Sequence, residues 1–126
     1  MTKHAGIDSK LARSGGLSYL EIPAADIKKS AAFYTGVLGW ISGDPSDLSR
    51  FSDPAGQLIG RFETDRQAAR TPGLLPFVYI DQIKAAVEKA TQLGGEVVKP
   101  VYVEGNLHVA VVRDPAGNVI GLWEEI

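Results

Sequence analysis

The sequence predicts an α+β domain in which two tandem βαβββ modules form one cupped, mixed-sheet unit. Three observations carry that expectation. DPAGQLIGRFE, from Asp53 to Glu63, returns 61 residues later as DPAGNVIGLWE, from Asp114 to Glu124, with seven of eleven positions identical. A helical stretch opening on Asp and closing on Leu-Gly precedes each copy, at Asp26 to Gly39 and at Asp81 to Gly94, offset by 55. Both halves run strand, helix, strand, strand, strand.

Residues 1–14 read as a loosely held polar tail, with His4 solvated. Leu17 to Ile22 alternates as a half-buried strand, with Ser18, Leu20 and Ile22 on one face and Leu17, Tyr19 and Glu21 on the other. Pro23 stops it. Asp26 is an N-cap, Ile27, Ala31, Tyr34 and Leu38 form an apolar stripe, and Gly39 closes the helix. Short strands follow at Trp40 to Ser42 and Leu48 to Ser52. Asp53-Pro-Ala-Gly is a tight turn, because Asp bonds its own backbone, Pro presets φ and Gly accepts a positive φ. The strand from Gln57 to Glu63 ends the first module.

Thr71-Pro72-Gly73 marks the join. Phe77 to Ile80 is the next strand, and Asp81 is expected to cap a helix whose stripe is Ile83, Val87, Ala90 and Leu93. Gly94-Gly95 ends it. Glu96 to Val103, Leu107 to Arg113 and Asn118 to Glu125 are strands. The growth of the offset from 55 to 61 places six extra residues between helix and last strand, in longer strands or a longer loop near Glu104-Gly105. The expected domain spans residues 15–126, with modules at about 15–70 and 74–126.

Composition narrows the function. Thirteen Lys and Arg against 15 Asp and Glu give a net charge of −2, so no basic footprint argues for nucleic acid. Without cysteine there is no disulfide framework, thiol nucleophile or thiolate metal site, which fits a cytoplasmic protein. No apolar run reaches membrane-spanning length, and the first residues carry no apolar segment of a secretory signal. Walker-type loops, nucleophile elbows and HExxH helices are absent.

Three stretches, EIPAADIKKSAAFYTGVLGW (Glu21 to Trp40), DQIKAAVEKATQLGGEVV (Asp81 to Val98) and DPAGNVIGLWEE (Asp114 to Glu125), carry a resemblance. In their order and double repeat, from about Leu17 onward, the chain resembles the vicinal oxygen chelate superfamily of glyoxalases, bleomycin-resistance proteins and extradiol dioxygenases. The resemblance implies paired modules around a cupped sheet. In its metalloenzymes, His and Glu from the first and last strand of each module hold one divalent ion. The carboxylate position, seven residues after the turn Asp, falls on Gly60 and Gly121. The His position falls on Leu17 or Tyr19 in the first copy and on Leu75 or Phe77 in the second. None of these donates to a metal, so neither a metal nor another cofactor is expected.

With Gly60 and Gly121 taken as facing the cup, strand alternation brings Tyr19, Phe62, Phe77, Tyr79 and Trp123 around one space floored by the two glycines. Small residues leave volume and aromatic faces stack planar ligands, so these seven residues are the candidate ligand-binding set for a small, partly aromatic molecule. The alternative is that the rings fill the cup as core. Glu21, the one inward carboxylate of the first strand, and His108, the one histidine inside the folded region, are the catalytic candidates for a lyase, isomerase or dioxygenase acting on a small carbonyl or phenolic substrate. The competing readings are a solvated rim carboxylate and a surface histidine. Arg50, Arg61 and Arg113 could pair an anionic ligand or simply be solvated. A homodimer is implied by the resemblance alone.

Overall fold

The computed structural model describes residues 8–126; His4 lies outside them. The first module comprises β1 (Tyr19–Pro23), α1 (Ile27–Leu38), β2 (Ile41–Asp44), β3 (Asp47–Ser52) and β4 (Ile59–Glu63). The second comprises β5 (Phe77–Tyr79), α2 (Ile83–Gln92), β6 (Glu96–Glu104), β7 (Leu107–Arg113) and β8 (Val119–Glu125). Each makes a four-stranded sheet, ordered β1-β4-β3-β2 and β5-β8-β7-β6. The first and last strands of a module pair in parallel, and the remaining pairs are antiparallel. The six extra residues lie in the strands: β6 and β7 have nine and seven residues against four and six for β2 and β3.

The helix ends follow local chemistry. The Asp26 carboxylate accepts from the Lys29 amide at 3.2 Å, and Gly39 closes α1 at φ 73°, a conformation that costs glycine nothing. The expectation for Asp81 is corrected. The N-cap of α2 is Gln82, whose side chain makes no capping bond. Helical dihedrals begin at Ile83, which leaves the Asp81 carboxylate one residue too early to reach the first free amides.

Residues 8–14 form turns rather than an element, and Arg13 ties them to the domain by donating to the carbonyls of Leu17 at 2.8 Å and Gln57 at 3.1 Å.

The two modules join through one core, in which Phe33, Tyr34 and Val37 of α1 lie with Ile83, Ala86 and Ala90 of α2 and with Ala110, Val112, Ile120 and Leu122 of the second sheet. Close approach depends on two glycines. A Cβ at Gly36 would overlap the Leu93 side chain, and one at Gly95 would overlap the Phe33 ring. A polar node clamps the seam. The buried Tyr34 hydroxyl donates to Asp114 Oδ2 at 2.8 Å, and the Asn118 amide donates to the same oxygen and to the Pro23 carbonyl, each at 2.7 Å. Asp114 Oδ1 accepts from the amides of Ala116 and Asn118, so a carboxylate only 3% exposed has four donors. Burial, followed by the negative charge of Asp114 and the bond to it, pushes the Tyr34 hydroxyl well above the ordinary tyrosine range.

The repeated turns do not repeat geometrically. In the second module the Asp114 amide bonds the Asn118 carbonyl, closing the loop after four residues. In the first, the Asp53 amide bonds the Leu58 carbonyl, one residue farther on. The Asp53 carboxylate stabilises this longer loop by accepting from the amides of Gln57 and Leu58. Ser52 therefore pairs with Ile59, whereas Arg113 pairs with Val119. The spatial offset of β4 and β8 is 60 residues, not the 61 of the repeat, and a shift of one residue turns every side chain to the opposite face. Gly60 and Phe62 accordingly face α1. Phe62 is 2% exposed, with its ring 5.6 Å from Tyr34 and 4.9 Å from Phe51. The assignment of Gly60 and Phe62 to the cup is overturned for this reason. Arg61 and Glu63 are the spatial counterparts of Gly121 and Trp123.

Candidate functional site

Each sheet has one face against the helices and one open face. On the second sheet, register puts Phe77 beside Gly121 and Tyr79 beside Trp123. Ile120 and Leu122, of opposite parity, are buried in the core. The Phe77 ring lies across Gly121, where any Cβ would overlap it. Tyr79 and Trp123 meet edge to face, with centroids 4.9 Å apart and planes at 78°. Phe77 and Tyr79 remain 47% and 48% exposed, so these rings form an accessible platform rather than a closed core. The Tyr79 hydroxyl is raised above its ordinary value, first by partial desolvation and then by the negative charges of Asp81 and Glu125.

The open face of the first sheet has a different chemistry. Tyr19 pairs with Ile59 and Glu21 with Arg61 across β1 and β4, while Arg50 of β3 stands opposite Arg61. A depression of about 330 Å³ lies there, lined by Tyr19, Gly43, Arg50, Ser52, Ile59 and Arg61 among others, all from the first module. Glu21 accepts from the Arg66 guanidinium at 2.6 Å. This partner comes from the connection between modules, and no local pattern in the sequence announces it.

Of the expected site residues, the structure brings Phe77, Tyr79, Gly121 and Trp123 together on one sheet and Tyr19 with Glu21 on the other. Tyr19 is 48% exposed and is not covered by the aromatic platform. His108 stands apart from all of them. It shares the helix-side parity of Ala110 and Val112 and lies 3.5 Å from Glu124 across β7 and β8. Glu21 and His108 thus occupy different sheets and opposite faces, so they do not form a joint centre within the chain.

The donor set for the metal implied by the resemblance follows from this register. If Phe77 and Gly121 mark the second-module positions, their spatial counterparts are Glu21 and Arg61. One carboxylate already bound to Arg66, one guanidinium, one phenyl ring and one glycine do not fit a divalent ion. No group of three His, Cys, Asp or Glu side chains among the described residues could hold one either.

Comparison with known proteins agrees with this architecture. The chain is 28% identical over 131 residues to the anthracycline biosynthesis protein DnrV of Streptomyces peucetius, covering 88% of this chain and 47% of that one. To CFP32 of Mycobacterium tuberculosis it is 22% identical over 121 residues, covering 89% of this chain and 46% of that one. The chain thus spans about half the length of these two relatives. A solved glyoxalase/bleomycin resistance protein from Albidiferax ferrireducens superposes with a TM-score of 0.66 at 23% identity, covering 87% of this chain and 98% of that one. No helix among the described residues is long and apolar enough to cross a membrane. The model of the Glyoxalase/Bleomycin resistance protein/Dioxygenase superfamily matches residues 16–122, and the chain belongs to that family.

Proposed function

We propose that this protein binds a planar, partly aromatic small molecule on its open sheet faces, without a resident metal. The observation that carries this reading is the platform of half-exposed Phe77 and Tyr79 laid against Trp123. Rings of this size are normally buried when their only role is packing. The resemblance to a protein of anthracycline biosynthesis supports a polycyclic ligand. The poor donor set in the inherited metal positions supports binding without a metal, and the absence of cysteine is consistent with a cytoplasmic setting.

A homodimer completes the site in this reading. The two open faces leave Tyr19, Phe77 and Tyr79 about half exposed, and each is half a cup. Two copies related by a twofold axis would lay the aromatic face of one over the polar face of the other, twice. Each composite cup would then have one stacking wall and one hydrogen-bonding wall.

The test uses the protein's two tryptophans. Trp40 is buried against Tyr34 and Phe51, so a Trp40→Phe variant leaves Trp123 as the sole reporter. Titration with anthraquinone-2-carboxamide should quench Trp123 saturably. Phe77→Ala and Tyr79→Ala should each weaken binding about tenfold, the loss of one aromatic contact. Absence of quenching, or affinity unchanged in both variants, would refute the proposal.

A further inference from the structure

We infer that the depression on the first sheet is an anion-binding subsite, in which Arg50 and Arg61 grip a carboxylate carried by the ligand. This deepens the binding reading above and rests on it for the ligand's aromatic body.

One arrangement on this face works against the fold. Arg50 and Arg61 are direct partners in the antiparallel β3–β4 ladder, on the same open face. Directly opposed side chains have Cβ atoms only about 5 Å apart, and like charges there are destabilising. A strand pair has no structural need for two facing guanidinium groups.

The neighbouring carboxylates do not pair with them closely, and Glu21, which stands beside Arg61 across β1 and β4, is held by Arg66. Asp47 Oδ2 lies 3.8 Å from Arg50 and Glu63 Oε1 lies 3.7 Å from Arg61, both beyond hydrogen-bond length. Asp47 also accepts from the Ser49 amide and hydroxyl. Exposed pairs at such separations contribute little.

Other arginines of the chain show what a structural role looks like. Arg13 donates to three backbone carbonyls, those of Lys10, Leu17 and Gln57. Arg113 donates to the Gly117 carbonyl, and Arg66 holds Glu21 at 2.6 Å. Arg50 and Arg61 keep their planar donor forks for something else. Two such forks on adjacent strands match the in-plane lone pairs of a carboxylate.

The surroundings suit a charged group on an apolar body. Tyr19 and Ile59 pair beside Arg61 and supply an apolar flank, while Gly43 contributes no side chain, which leaves room above β2. Arg61 reaches this face because Phe62, the next residue, packs inward on Tyr34 and Phe51. The second module has Gly121 in the same spatial place, so only the polar wall of a composite cup carries the clamp.

The experiment compares two probes of nearly the same shape, anthraquinone-2-carboxylate, which is charged, and anthraquinone-2-carboxamide, which is neutral and replaces one acceptor oxygen by an NH2 donor. Both are titrated into the full chain and into Arg50→Gln, Arg61→Gln and Arg61→Lys variants, with light scattering on each protein. In the parent protein the carboxylate should bind about tenfold or more tightly than the amide, the scale of a charge-assisted pair. That preference should fall to within about twofold in either Gln variant and be partly kept in Arg61→Lys, which retains charge but loses the fork. Raising the salt concentration should weaken the carboxylate and leave the amide unchanged.

Equal binding of both probes by the parent would overturn this inference and leave the binding proposal standing. Binding of neither would overturn both. A Gln variant that changes the molecular mass in solution would show that the arginines hold a second copy of the chain, and it would overturn the ligand role. Both arginines are exposed surface residues, so the Gln variants should keep the parent's circular dichroism.

Discussion

Tyr34→Phe is the most direct test of how the two modules are joined. The variant removes one oxygen and leaves the ring, so the packing of Tyr34 on Trp40 and Phe62 stays. It deletes the 2.8 Å bond to Asp114, a carboxylate 3% exposed. A buried hydrogen bond to a charged acceptor contributes about 1.5–3 kcal/mol. Asp114 keeps the amides of Ala116 and Asn118 and the Asn118 side chain, which favours the middle of that range, about 2 kcal/mol. For a domain of this length that corresponds to a melting temperature lower by about 6–8 °C.

The pH dependence gives a second, independent reading. The folded-state pKa of Tyr34 is raised, whereas in the unfolded chain it ionises near pH 10, as an ordinary tyrosine does. The stability it confers is therefore fully present below about pH 10 and is lost as pH rises through the raised folded value. The other tyrosines are common to both proteins and cancel in the difference. Urea unfolding followed by circular dichroism at pH 7 and at several points above pH 10 should show a gap of about 2 kcal/mol that narrows with alkalinity. A gap under about 0.5 kcal/mol at pH 7, or one that widens above pH 10, would refute the clamp.

Further predictions concern single positions. Gly60→Ala should cost about 3 kcal/mol or abolish folding, because its Cβ would strike the Leu20 carbonyl as well as the Phe51 ring. In Gly121→Ala the nearest atoms to the new Cβ belong to the half-exposed Phe77 ring, which can swing away. The effect should be under about 1.5 kcal/mol by thermal denaturation, with a clear loss of aromatic ligand binding. Ser30 is fully buried with an unpartnered hydroxyl at the end of the first turn of α1, so Ser30→Ala should stabilise by about 1 kcal/mol in urea unfolding. Dialysis against a chelator should leave both the melting temperature and probe affinity unchanged. Stoichiometric metal by elemental analysis, with a drop in either quantity on chelation, would reverse the metal-free reading.

The fold was legible because its signals are local. Asp26, Gly39 and the Asp-Pro-Ala-Gly turns each report the conformation of a few residues, and the order of elements follows. The second sheet's platform was legible for the same reason, since strand alternation from Gly121 leads to Trp123 and, across the ladder, to Phe77 and Tyr79. The first sheet misled at one point. The identity of DPAG in both copies implies equal loops, yet Asp53 closes on Leu58 whereas Asp114 closes on Asn118. Nothing between Gly56 and Ile59 states that length, because whether the Leu58 carbonyl or the one before it pairs with Asp53 is decided by packing of Phe62 against Tyr34 and Phe51. Partners such as Arg66 with Glu21, 45 residues apart, are set by tertiary placement and leave no periodic trace.

The extra loop residue also bears on how such a protein can diversify. Deleting Gln57 would let Asp53 close on Leu58 after four residues, as Asp114 closes on Asn118, with the pairing of Ser52 with Ile59 and the facing of Gly60, Arg61 and Phe62 unchanged. The packing of Phe62 on Tyr34 and Phe51 keeps β4 in place, so a change of loop length is absorbed by the turn and the cationic wall stays outside. In a duplicated fold of this kind, the hairpins can drift in length and sequence while the core fixes which residues of each strand reach the binding surface.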